Sequence, residues 1–308
     1  WSFAVCIVVP VGMALSPTFP LLFSIGLIGG FVSAAANPAT NTLVAGHVPI
    51  ERQGFVVGIK QAGGPLGIAI AGLVLPPIAT QWGWEWAMAS SAALPAIGLA
   101  LLWASGARGT TTRPRRSRAD RPPLGGRIWR LTVNASAVGV GLGSMLGFIA
   151  VYSVDEVGLS ETAAGAMLTI IGLIGFLARL VWGAIADRRR SSHHLLVTVG
   201  VLSVAAATGI WASGRFGPWL LLSSTVVLGV SAMGWTTVGM FAVINESSLE
   251  RAGVASGVVS AGFIGGLSLG PVAFGALVDL TGSYSASFIM VITTFVISVA
   301  AVVERRAS

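Results

Sequence analysis

The sequence predicts an all-α polytopic membrane protein, on three observations. Mean hydropathy is +0.85, and 54% of the 308 residues are hydrophobic against 9% charged, a balance that excludes a soluble globular protein. The apolar runs are continuous rather than alternating, which points to helices and away from a β-barrel. The basic residues fall in alternate breaks between those runs: Arg52, the eight arginines from Arg108 to Arg130, Arg188 to Arg190, Arg251, Arg305 and Arg306. By the positive-inside rule these breaks are cytoplasmic, while the opposite ones hold Glu85, Asp155, Glu156 and Glu161, with Arg215 as their one cation.

Charged and Pro/Gly/Ser breaks divide the chain into ten apolar segments. Four come first, at 1–15, 19–46, 54–79 and 85–104, with Glu51-Arg52 marking the second cytoplasmic turn. Residues 105–127 are Pro- and Arg-rich without apolar periodicity, so they read as a flexible cytoplasmic linker. Six segments follow, at 129–152, 161–186, 195–212, 217–244, 253–279 and 284–303, punctuated by Asp155-Glu156, by Asp187 to Arg190 and by Glu250-Arg251. No charged n-region precedes residue 1, so the first segment does not read as a signal peptide.

An internal repeat organises these segments. Shifting the chain by 199 residues places Gly30 on Gly229, Glu51-Arg52 on Glu250-Arg251, Gly54 on Gly253, Gly58 on Gly257, Ala62-Gly63 on Ala261-Gly262, Gly67 on Gly266 and Gly83 on Gly282. Both copies enter the membrane from the same side, so the repeat is parallel. The segments at 129–152 and 161–186 would map to positions before residue 1. The expectation is therefore a chain lacking two N-terminal helices, with residues 1–104 as an incomplete bundle and 128–308 as a six-helix bundle. Such a chain would not transport by itself.

The membrane exit Gly183-x-x-x-Asp187-Arg188-Arg189-Arg190 carries a small residue, an acid and a basic cluster. This resembles the loop motif of the major facilitator superfamily of transporters, G-x-x-x-D-R-x-G-R-R, in which Gly183, Asp187 and Arg188 match. Here Arg190, Ser191 and Ser192 stand in place of the final Gly-Arg-Arg. The resemblance implies a two-bundle architecture with ten of twelve transmembrane helices present, numbered three to twelve.

Arg179 is the first candidate for chemistry. It lies eight residues before Asp187, about 12 Å from the charged end of its segment at ~1.5 Å rise per residue. A cation at that depth costs about 2.5 to 3.5 kcal/mol on insertion scales, so it needs a cavity or a partner. Its planar fork suits a bidentate carboxylate contact. Its placement is similar to the substrate-carboxylate arginine of the monocarboxylate and oxalate branches of the superfamily, which implies the same role here.

Lys60 lies eight residues past Arg52, at matching depth. Together the two cations could form a central anion site. Alternatively, Lys60 snorkels to the headgroups, its stem reaching about 6 Å. Asn37, Asn41, Gln61, Asn134 and Trp235 are the other polar groups within spans; of these Asn37, Gln61, Asn134 and Trp235 join the candidate substrate site, with interhelical hydrogen bonding as the competing role.

The repeat-partner segments are glycine-rich, with Gly63 and Gly67 in one and Gly262, Gly266, Gly270 and Pro271 in the other. They serve either ordinary packing or a sliding interface between halves; the resemblance implies the second. Gly183, Asp187, Arg188, Arg189, Glu51, Arg52, Glu250 and Arg251 form a candidate gating motif. Asp187 could dock on the free amides of the segment starting near Gly54, or merely cap its own loop and offset the arginines.

No nucleophile, base and orienting acid can be assembled, and no phosphate-binding glycine loop follows a strand, so the sequence does not read as an enzyme. Cys6 is the single cysteine, and His193 and His194 stand without a cysteine or close acid cluster, so neither metal nor cofactor is expected. The net charge of +7 reflects topology and contact with anionic lipid rather than nucleic acid. Of 18 basic residues only Lys60 is lysine, which points loosely to a bacterial source and an inner-membrane location with a cytoplasmic C-terminus.

The functional expectation is a monomeric secondary transporter that moves a small organic anion, a carboxylate by its arginine, by alternating access with protons. The alternatives are a drug or metabolite efflux permease, and a non-transporting receptor or scaffold. A cationic substrate would want a buried acid, whereas Asp155, Glu156, Glu161, Glu246 and Asp279 all lie near segment ends.

Overall fold

The computed structural model describes residues 2–105, 125–189, 192–248 and 251–303. Most of the 105–127 linker and Glu250 lie outside the described residues, as do the side chains of Asn37, Asn41 and Arg189. The described residues form helices α1 (Ser2–Ala14), α2 (Phe19–His47), α3 (Gln53–Trp82), α4 (Trp84–Ser90), α5 (Ala93–Ala104), α6 (Gly126–Asp155), α7 (Glu161–Arg189), α8 (Ser192–Phe216), α9 (Pro218–Val230), α10 (Trp235–Glu246), α11 (Ala252–Thr281) and α12 (Tyr284–Val302). Among these residues, eight helical spans are long and apolar enough to cross a membrane, and two shorter apolar stretches lie at Phe3–Ala14 and Phe19–Gly30.

Two of the ten expected helices are each built from two pieces. The expected 85–104 helix is α4 and α5, and Ser90 and Ser91 at the joint turn their hydroxyls back onto the carbonyls of Ala87 and Met88. The expected 217–244 helix is α9 and α10, interrupted at Ser231–Gly234. Ser231 donates its hydroxyl to Val227 O at 2.7 Å, competing with the helical ladder, and its ψ of −90° carries the chain out of helix. A helix can be broken at membrane depth only where other groups take over the freed carbonyls. Here Trp182 Nε1 donates to Val230 O at 2.7 Å and Arg179 Nε donates to Met233 O at 2.9 Å.

The chain groups into two compact units. The first comprises Trp1–Ala36 and Leu73–Gly125, where α1 lies against α4 and α5 and the ring of Phe3 covers Gly98. The second comprises Asn37–Gly72 and Gly126–Ser308, so the facing ends of α2 and α3 belong with the C-terminal helices. Its centre is the α9–α10 span, buried along nearly its whole length. Trp235 within that span, Phe274 on α11 and Phe288 and Phe295 on α12 are all fully buried. Tyr152 meets Phe288 edge-on at 4.8 Å, and Phe274 meets Phe288 likewise at 5.5 Å, the arrangement aromatic quadrupoles favour. Gly282, at φ 64°, ends α11 in the left-handed conformation open to glycine and donates its amide to Val278 O.

Candidate functional site

α7 is the spine of the site. Along its inner face α7 carries glycine where it crosses α3: a Cβ on Gly183 would stand 2.6 Å from Gly54 O, and one on Gly54 the same distance from Gly183 O. The two backbones therefore approach as closely as small residues permit. That approach sets both Arg179 and Asp187 of α7 against α3.

Arg179 is 6% exposed and lies between α3 and the break before α10. Its Nε donates to Met233 O, one Nη1 hydrogen goes to the backbone oxygen of Gln61, and Nη2 reaches Met233 Sδ at 3.6 Å. All three acceptors are neutral. Arg127 pairs with Glu246 at 3.0 Å away from this site, and among the described residues no carboxylate is paired with the Arg179 guanidinium. Carbonyl dipoles satisfy donors but do not cancel a buried charge, so the site keeps a positive potential at low dielectric.

Lys60 lies on the same element as Gln61, half-buried, and donates to Thr40 Oγ1 at 3.0 Å. Both cations thus occur within the second unit. Gln61 presents its backbone oxygen to Arg179, while its side-chain Nε2 is buried without a hydrogen-bond partner. Asn134 and Trp235 do not join this group. Trp235 Nε1 donates to Asn134 Oδ1 at 2.7 Å, Asn134 Nδ2 donates to Ser298 O at 2.8 Å, and the indole stacks on Phe263 at 5.0 Å. Both residues are fully buried and their polar atoms engaged in joining α6, α10 and α12.

The gating residues separate in the same way. Asp187 Oδ1 accepts from Gly54 N at 2.7 Å and Oδ2 accepts from Phe55 N at 2.9 Å, so its carboxylate spans the first free amides of α3. Glu51 and Arg52 are exposed in the 3-10 turn just before, Arg188 is exposed, and Arg251 occupies the N-cap position of α11. Of the helix-interface glycines, Gly262 faces Thr132 and Ser136, Gly266 faces Ser136 O, Gly270 faces Val140 O, and Pro271 covers Gly147, all on α6. A Cβ at Gly63 or Gly67 would meet nothing within 4 Å.

Met233, Trp182, Thr236 and Thr237 were not singled out in the sequence. Trp182 could have been, standing three residues past Arg179 on the same helix face. The others depend on a break that no glycine or proline pair announces. Thr236 Oγ1, Thr237 Oγ1 and Ser260 Oγ are buried and, like Gln61 Nε2, lack a partner.

The sequence profile of the Major Facilitator Superfamily matches residues 1–261. An uncharacterized MFS-type transporter of Mycobacterium tuberculosis is 28% identical over 192 residues, covering 60% of this chain and 41% of its own length. The hexuronate transporter of Bacillus subtilis is 24% identical over 316 residues, covering 90% of this chain and 71% of its own. The multidrug resistance protein MdtG of Proteus mirabilis is 26% identical over 164 residues, covering 51% and 39%. The chain thus spans less than half the length of the mycobacterial relative. Among solved structures, the E. coli fucose:proton symporter aligns with a TM-score of 0.67 at 16% identity over 98% of this chain and 83% of that one. The human organic anion transporter MFSD10 aligns with 0.69 at 15% identity over 98% and 75%.

Proposed function

The chain belongs to the Major Facilitator Superfamily, and from that membership and the geometry around Arg179 we propose that it serves as a secondary active transporter for a small organic anion, most simply a carboxylate. One observation carries the choice of an anion: a guanidinium 6% exposed, at membrane depth, whose acceptors are all neutral. A bound carboxylate would supply the missing charge and use the planar fork bidentately. The hexuronate relative is in keeping with this reading. The multidrug relative suits it less, because among the described residues the acids Asp155, Glu156, Glu246 and Asp279 stand near helix ends, away from the middle of a span.

Residues 1–104, the 105–127 linker and 128–308 are the corresponding organisation, with protons as coupling ion, a monomer as the working form and a bacterial inner membrane as the setting. Lys60 is the second cation of the site, and Asp187 on the α3 amides is the cytoplasmic gate.

Equilibrium binding of radiolabelled carboxylates to the purified chain in lipid nanodiscs tests the anion site. Arg179→Lys keeps a charge and a donor but loses the fork, so it should fold with the wild type's helical content and bind at least about tenfold more weakly. Unchanged carboxylate affinity in that variant would place the site elsewhere.

A further inference from the structure

The two elements that clasp Arg179 carry more polarity than the clasp uses. Gln61 gives its backbone oxygen to Nη1, yet its own Nε2, in a side chain 9% exposed, has no partner. Met233 gives its carbonyl to Nε, and within one helical turn beyond it stand Thr236, 8% exposed, and Thr237, 0% exposed, each with an unpaired hydroxyl. Buried polar atoms without partners are few in native proteins, and each asks for an explanation. Three of them on the acceptor elements of one unneutralised guanidinium point to a ligand that is both anionic and rich in hydrogen-bonding groups.

We infer that the site is built for a polyhydroxylated carboxylate of the sugar-acid type: the guanidinium takes the carboxylate, and Gln61, Thr236 and Thr237 take hydroxyls borne on the adjoining carbons. This rests on the anion reading above and adds the hydroxyls to it. The donor inventory permits it. Arginine has five N–H groups, of which three are directed to Met233 O, Gln61 O and Met233 Sδ, so two remain for a carboxylate, and the thioether is an acceptor weak enough to yield a third. The Gln61 amide donates, and each threonine hydroxyl can donate or accept, which matches the dual character of a sugar hydroxyl. A site whose polar groups are paired only by the substrate's hydroxyls rejects the analogue that lacks them, because binding it would leave those groups buried and unpaired.

The competing explanation is that the three groups are an accident of packing, and stability separates the two. Removing a buried hydroxyl that has no partner in the free protein removes a desolvation cost, so Thr237→Val and Thr236→Val should leave thermal stability unchanged or raised, and Gln61→Met should not lower it. A structural role would lower it.

The experiment measures binding of gluconate, glycerate and propionate to the purified chain in lipid nanodiscs, by quenching of tryptophan fluorescence, alongside the melting temperature of each variant. The expected result is that gluconate and glycerate bind at least about a hundredfold more tightly than propionate. Thr237→Val and Gln61→Met should each weaken gluconate by about ten- to a hundredfold, leave propionate unchanged and not reduce stability. Equal affinity for all three acids, or variants that weaken propionate as much as gluconate, would overturn the sugar-acid assignment while leaving the anion site standing. Variants that lose stability with gluconate affinity intact would also overturn it, making the groups structural. Failure of every acid to bind would overturn both this assignment and the anion reading beneath it.

Discussion

Asp187 offers the sharpest test of how the first turn of α3 is held against the end of α7. Its two carboxylate oxygens accept from Gly54 N at 2.7 Å and Phe55 N at 2.9 Å, both within the distance of charge-assisted bonds. Those amides have no intrahelical acceptor, and they form the positive end of a 30-residue helix. Asp187→Asn preserves shape and one acceptor oxygen but removes the charge and turns the other oxygen into a donor facing an N–H. Losing one bond to a charged group costs about 1.5 to 3 kcal/mol, and losing the charge at the helix terminus costs about 0.3 to 1 more. The sum of about 2 to 4 kcal/mol is discounted for the solvent that reaches Phe55, leaving roughly 1 to 2.

At about 1.4 kcal/mol per tenfold, an equilibrium between docked and separated α3 and α7 ends would shift by about five- to thirtyfold. Spin labels on exposed positions Phe55→Cys and Arg188→Cys, with Cys6→Ser to clear the background, report that distance directly. Asp187→Asn should add a longer-distance population in the doubly labelled chain, and Asp187→Glu should add less. A distance distribution in Asp187→Asn identical to that of its parent would refute the reasoning, since the carboxylate would then be holding nothing.

Two further outcomes follow from packing. Gly183→Val places a branched side chain where even a Cβ comes within 2.6 Å of Gly54 O, so α3 and α7 must separate. A melting temperature lower by several degrees is expected, and an unchanged one would refute a backbone-to-backbone crossing at Gly54 and Gly183. Asn134→Leu strands Trp235 Nε1 in the core, while Ser298 O loses only a second donor and stays in the α12 ladder, so the change should destabilise by about 1 to 3 kcal/mol for the one orphaned group, measured by chemical unfolding in detergent; a loss under about 0.5 kcal/mol would mean the network relaxes around the change.

The sequence by itself determined the class of molecule and the identity of its expensive residues. Continuous apolar runs admit helices alone, and the alternation of arginines orders their ends, because both follow from local transfer energies that do not depend on how the helices pack. For the same reason Arg179 stood out: one charge in an apolar run costs the same wherever its partners turn out to be. Only the tertiary structure decided those partners. The Ser231–Gly234 interruption reads as ordinary apolar sequence, since no proline marks it and its freed carbonyls are tolerable only because Trp182 and Arg179 on another helix reach them. Asn134 and Trp235 looked as available for substrate as Gln61 did, and they differ only in having found each other across three helices while Gln61 Nε2 found nothing. Pairing between residues separated by 101 or 118 positions in the chain is a property of packed surfaces, and no local pattern of the sequence encodes it.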